Sequence, residues 1–380
     1  MVPASQVARV NVSIHVGLMT RLLLLLAACL ALVRPANAQE VRSRILLDTI
    51  AQLETGPGAG ELPLVPLSVA QIPRGGYLAI VDGLVGNASV ERRNIYDVAG
   101  HFTGSLGREG DGPFEFRRAV GAGRFAADSL YLWDRQRRLM TVLDRSAKPV
   151  RTFVVNANGF RLTTATDGRF VLDGYADGGS YSQPVNAFAP DGKLIGAFGE
   201  MAPRERFAPG PPTDRVVASD GHGGWWTVRT GYRYEVEHWD STLHRTAQWL
   251  PETDWFPLQH DLEAPKRGET GFEHLRPGAS WIQVDTAGRL WIGGHKPAAH
   301  AQERMNSCVH EGTQPFSCLM QLGERSFETV VEVRSRVDGR LLASVRGLPA
   351  LYAMSGGLFY TAGTDDDGFV HVSIVRLRLQ

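Results

Sequence analysis

The sequence predicts an all-β protein: a six-bladed β-propeller with four antiparallel strands per blade, its ring closed by an N-terminal strand. Three observations lead there. Glycine is frequent, 42 of 380 residues, and is spread along the chain, as many tight turns between short strands require. A strand–turn–strand unit recurs six times and a second such unit follows it, complete in five cases. Two hairpins per repeat give four strands, and four-stranded repeats of roughly 40–50 residues are propeller blades. The sixth repeat lacks its last strand, while a spare strand-like segment stands near the N-terminus. A two-domain β-sandwich or barrel is the competing architecture, and six matched double hairpins argue against it.

The first 38 residues are set apart from the rest. They hold Arg9, Arg21 and Arg34 and no acidic residue, an apolar run from Leu22 to Val33, and the exit Ala36-Asn37-Ala38. This is the pattern of a secretory signal peptide. The run falls short of the ~20 apolar residues that span a bilayer. Residues 1–38 are therefore expected to be a signal peptide and 39–380 a single propeller domain, secreted or periplasmic, with no transmembrane segment in the mature chain. Met19 offers an alternative start. Leu26-Ala27-Ala28-Cys29 resembles a lipobox, but the apolar run continues past Cys29, which favours cleavage after Ala38 over a lipoprotein.

Arg44–Ile50 is the spare strand. The first hairpins follow at Leu67–Val81, Ala119–Asp134, Phe160–Asp173, Arg215–Thr230, Trp281–Gly294 and Leu351–Ala362, with turns such as Thr166-Asp167-Gly168 and Ser355-Gly356-Gly357. The second hairpins run through Ile95–Leu106, Met140–Val154, Asn186–Gly196, Tyr234–Ala247 and Val330–Ala343, and Val370–Leu379 stands alone. Pairing that last strand with Arg44–Ile50 closes the ring and removes its exposed edges.

The segment Gly107-Arg108-Glu109-Gly110-Asp111-Gly112-Pro113-Phe114-Glu115-Phe116 resembles the glycine-rich connection of extracytoplasmic six-bladed propellers of the NHL-repeat and TolB-like groups. Leu130–Asp134 and Trp281–Ile292 are similar to blade repeats of the same superfamily. The resemblance implies the fold. It leaves activity open, since those groups include scaffolds, sugar-lactone hydrolases and lyases.

Propeller geometry gives the loop lengths a meaning. First-to-second and third-to-fourth strand turns share one face, and the remaining connections share the other. The first set is short throughout. The long connections, roughly 83–94, 108–118, 174–185, 200–214, 250–279 and 296–328, all belong to the second, which predicts one flat face and one elaborated, functional face.

Candidate site residues lie on that elaborated side. Asp82, Asp134 and Asp173 end second strands and form a possible carboxylate cluster at the channel mouth, suited to a divalent metal (calcium or zinc) or to acid–base work; the alternative is that each binds its own turn. Arg229 ends the matching strand of blade four and offers an anion-binding group. His295 stands beside the two largest insertions, which carry His260, His274, His300 and His310, and would complete a metal set. Trp255 and Phe256 either stack on a ligand or anchor their loop. Asp365-Asp366-Asp367-Gly368 is a calcium-loop candidate without the terminal glutamate of an EF-hand. Trp133, Trp226 and Trp291 occupy matching second-strand places and are read as packing.

Cys308 and Cys318 sit close together and are expected to form a disulfide in an oxidising compartment. Without residues 1–38 the chain has 37 basic and 40 acidic residues, a formal charge of −3, with no basic run. Nucleic acid is thereby excluded as an expected partner. No Gly-x-Ser-x-Gly elbow, phosphate-binding loop, Cys-x-x-Cys or paired zincin histidines occur. The expected function is an extracytoplasmic, monomeric binding module that holds a protein, peptide or glycan on its loop-rich face. The alternative is a metal-dependent hydrolase or lyase of the lactonase-like propeller type.

Overall fold

Side chains alternate between the two faces of a strand, so the unbroken apolar runs of strands such as Tyr77–Val81 give a sheet two faces to bury, and six such sheets satisfy one another in a ring. The computed structural model describes residues 43–380 except 57, 59, 86, 87, 113, 160, 177–182, 201–214, 230–233, 257–274, 311–317 and 319–325. Each blade is a four-stranded antiparallel sheet. Blades I to V run from Ser68–Gln71 to Phe102–Ser105, Ala119–Ala126 to Pro149–Val154, Leu162–Thr164 to Leu194–Phe198, Arg215–Ser219 to Arg245–Trp249, and Gly278–Val284 to Leu341–Leu348. Blade VI takes Tyr352–Ala353, Leu358–Thr364 and Val370–Leu379, and completes itself with the N-terminal strand Ile45–Leu53. That strand pairs with the last one from Ile45↔Leu379 to Leu53↔Val372. Asp48 and Arg378 add a two-point ion pair across it. The expected closure is present.

The core divides into six apolar clusters, one at each seam between neighbouring blades. The second strand of blade I shows how. Tyr77, Ala79 and Val81 bury against blade VI, while Leu78 and Ile80 bury against blade II. Period-two alternation thus feeds both seams from one strand.

A polar rung crosses all six blades. Opposite Ala79, Leu132, Leu172, Thr227, Ile292 and Thr361, two or three residues into the second strands, the third-strand partners are Asn94, Thr141, Asn186, Glu237, Glu332 and Ser373. The first five are buried. Buried polar groups must find partners, and several of these hold the connections that enter the blades or join their middle strands. Asn94 Nδ2 donates to Gly60 O at 3.2 Å, and Asn186 Nδ2 donates to Gly174 O at 2.8 Å. Glu332 accepts from Thr253 Oγ1 and Trp255 Nε1, each at 2.9 Å, from Tyr234 Oη at 2.7 Å and from Arg334 Nε at 2.8 Å.

Three sequence expectations need correction. Residues 83–94 are not a long connection: Tyr77–Val85 and Ala88–Tyr96 form one extended hairpin, paired out to Val85↔Ala88. The insertion 296–328 contains a helix, α1 (Ala301–His310), whose Ala301 and Met305, four residues apart, are buried. Trp226 and Trp291 do match, one residue before the rung partner, but Trp133 lies one residue after it. All three are nonetheless buried. Cys308 on α1 is bonded to Cys318, with Cα atoms 5.8 Å apart. Among the described residues no helix is long and apolar enough to cross a membrane.

The turns between first and second strands are short in every blade, and those between third and fourth strands are short in blades I to V. The long insertions, 54–67, 106–118, 174–184, 199–214, 250–277 and 298–326, all join strands on the opposite face.

Candidate functional site

Antiparallel pairing sends the start of every inner strand and the end of every second strand to the elaborated face. A cavity of about 700 Å³ opens there, at the mouth of the central channel. Inner-strand starts supply Leu67, Ser68, Arg161, Thr163, Val216 and Val217. Blade V supplies Ser280, Trp281, Ile282, Gly294, His295, Phe327 and Thr329, and the link into blade VI supplies Leu348 to Ala353, with Tyr360 behind. The wall is mainly apolar and aromatic. The described residues that line it include no Asp or Glu.

Local sequence explains the wall of blade V. Gly293 faces Trp281 so closely that a Cβ there would lie 2.0 Å from Trp281 Cε2, so glycine is what lets the indole lie flat on its own sheet. Trp281 then packs on Phe359 of blade VI, ring centres 4.5 Å apart. Within blade VI Tyr352 stacks on its cross-strand partner Tyr360 at 4.8 Å, leaving Tyr352 partly open to the cavity.

His295 sits in this wall with Nδ1 3.0 Å from Ser280 Oγ and its ring edge-on to Phe327 at 4.7 Å. Burial, assisted by the Arg161 guanidinium, pushes its pKa from 6.5 down to about 4. The ring is neutral at pH 7. Arg161 projects from the entry to blade III, where its backbone N–H donates to Asp173 Oδ1 at 2.7 Å. Its guanidinium has no ion-pair or hydrogen-bond partner among the described residues.

The other expected site residues are placed as follows. Asp82 pairs with Arg118 Nε at 2.8 Å, tying blade I to the entry of blade II. Asp134 accepts from the Arg117 and Arg137 backbone N–H groups at 2.8 and 3.0 Å. Asp173 accepts from the Arg161 backbone and is buried. Arg229 forms an ion pair with Glu235 at 3.1 Å. Trp255 and Phe256 are buried in the seam between blades IV and V, and Trp255 donates to Glu332, so they anchor their loop rather than present a stacking surface. Asp365 caps its own turn, accepting from the Asp367 and Phe369 N–H groups at 3.1 and 2.8 Å, and contacts His371.

Strand register explains why the carboxylates do not gather. Beyond the polar rung, Asp173 is the first residue, Asp134 and Arg229 the second, and Asp82 and His295 the third. Each step changes height by about 3.3 Å and reverses the side on which the residue lies. Among the described residues no three His, Cys, Asp or Glu side chains come together as a metal-binding group. Asp82, Asp134, Asp173 and His295 therefore do not form the expected set, and His260 and His274 lie outside the described residues.

Sequence reasoning overlooked Arg161 and the cavity walls. A usable signal existed. In blades I, III and VI the residue just before the inner strand, Leu67, Arg161 and Leu351, lines the cavity, whereas Arg118 of blade II turns to Asp82 instead.

No family model matches this sequence, and no curated protein matches it. Among solved structures the chain is similar in fold to a member of the DUF4221 family from Bacteroides vulgatus, with 11% identity and a TM-score of 0.56 over 88% of this chain and 99% of that one. It is likewise similar to a putative exported protein from Bacteroides fragilis, with 9% identity and a TM-score of 0.55 over 88% and 95%. These similarities place the chain among six-bladed β-propellers.

Proposed function

We propose that the chain works outside the cytoplasm as a binding module, with its ligand seated in the channel mouth on the elaborated face. One observation carries this reading: a single cavity of about 700 Å³, walled mainly by apolar side chains and carrying a few inward polar groups. That combination is the usual build of a small-ligand site. The Cys308–Cys318 bond and the signal-like first 38 residues support an oxidising, extracytoplasmic setting. A metal-dependent hydrolase or lyase would need a ligand set that the described residues do not assemble.

The test is to fill the cavity. Val217→Trp places an indole inside it from blade IV. Peptides, glycans and small molecules are screened by thermal shift against the native chain. Compounds that raise the native Tm should leave the Val217→Trp variant unmoved. If they stabilise both proteins equally, the ligand sits elsewhere.

A further inference from the structure

Several arginines at the elaborated-face ends of the strands are matched to carboxylates. Arg118 pairs with Asp82, Arg215 with Glu237 at 3.3 Å and Arg229 with Glu235. Arg161, like Arg118, stands immediately before an inner strand, yet it faces a cavity whose described lining residues include no acid. Its neighbour His295 is uncharged at pH 7 and Ser280 is neutral, so among the described residues lining the cavity the guanidinium is the one formal charge. A neutral body that covered it would strip water from a cation and return nothing, and a cationic one would add repulsion. An anion replaces the lost water with a charge-assisted, two-point hydrogen bond.

We infer that the channel mouth selects a small organic anion: an apolar, preferably aromatic body against Trp281, Tyr352 and Leu351, and a carboxylate, sulfonate or sulfate on Arg161. This rests on the channel mouth being the binding site. Anchoring one end fixes the ligand's orientation, since its charged group can sit only on the blade III side. The aromatic body then lies towards blades V and VI, where Tyr352 presents its ring and the largely buried Trp281 lines the wall.

Two fluorescent probes with the same aromatic frame separate the parts of this inference. One is 8-anilinonaphthalene-1-sulfonate, an anion, and the other is N-phenyl-1-naphthylamine, which lacks the sulfonate. Both are titrated at pH 7 into the native protein and into Arg161→Gln, Arg161→Lys and Val217→Trp, with unfolding midpoints recorded to confirm folding. Arg161→Gln should weaken the anion by about tenfold or more and change the neutral probe less than about threefold. Arg161→Lys should fall between native and Gln for the anion, since it keeps the charge without the planar fork. Equal losses for both probes, no loss for either, or a native protein that binds only the neutral probe overturns the anion inference. Failure of both probes to bind the native chain, or binding that Val217→Trp leaves intact, overturns the cavity itself as the site.

Discussion

His295 is an imidazole held neutral by its surroundings, and that has a measurable signature. Unfolding returns it to its ordinary pKa of 6.5, whereas the folded chain keeps it near 4. Between those values the unfolded state binds more protons, so stability falls as the pH drops from 6.5 towards 4. The contribution is at most about 3 kcal/mol, and less where solvent reaches the ring. Urea unfolding at pH 7.5 and 4.5 should show a larger loss for the native chain than for His295→Gln. Equal losses would mean that the ring is not held neutral. Glu332 makes the opposite case, a carboxylate that stays buried because four donors meet it. Glu332→Ala would leave Arg334 buried without that partner and release Trp255 and Thr253. The expected destabilisation is about 3–5 kcal/mol by chemical denaturation. A loss below about 1 kcal/mol would show that the loop is held by apolar contacts alone. At this scale the sequence was only partly legible. Asp82, Asp134 and Asp173 look alike as residues ending strands, and only the hydrogen-bond register shows that they differ in height and side. Trp255 looked as suited to a ligand as to a loop anchor until its indole N–H met Glu332, 77 positions away.

The hairpins were the most legible elements, because each carries its own turn chemistry. Asp144, Asp220, Asp240, Asp285 and Asp365 each accept backbone N–H bonds from the turn that follows, a local interaction written directly in the chain. Helix α1 was not legible. It is short and polar and buries only Ala301 and Met305 on its inner side, too weak a stripe to stand out from a loop. The hairpin at 83–94 was missed for the opposite reason. Its glycines and polar residues suggest a loop, while its pairing is imposed by continuing a strand already begun at Tyr77. The N-terminal strand Ile45–Leu53 is the element whose removal is most telling. Without it Val370–Leu379 becomes an edge, and Leu47, Ala51 and Leu53 vanish from the two seams flanking blade VI. A chain lacking residues 1–54 should lose cooperative unfolding and associate, as read by calorimetry and light scattering. A monomeric variant with near-native Tm would show that closure is dispensable.

At the scale of the whole molecule, the ring turns one repeated pattern into two unlike surfaces. The flat side is spanned by turns that satisfy themselves, so it can vary little without breaking them. The other side carries every long insertion, and the polar rung beneath helps to hold several of them. This asymmetry could be read from loop lengths because an antiparallel repeat fixes which connections share an end. The cavity could not, since it belongs to no single blade: residues from blades I, III, IV, V and VI must be assembled before it exists.

The pairing of Asp48 with Arg378 spans 330 positions of sequence. A polypeptide emerging N-terminus first therefore makes its opening strand long before the partner for it exists. Until residue 379 arrives the chain is an arc with two unsatisfied borders, and contacts this distant in sequence form slowly. Hiding both borders needs the pairing of Ile45–Leu53 with Val370–Leu379, so a product terminated or clipped before that strand leaves open two strand edges that the finished ring conceals.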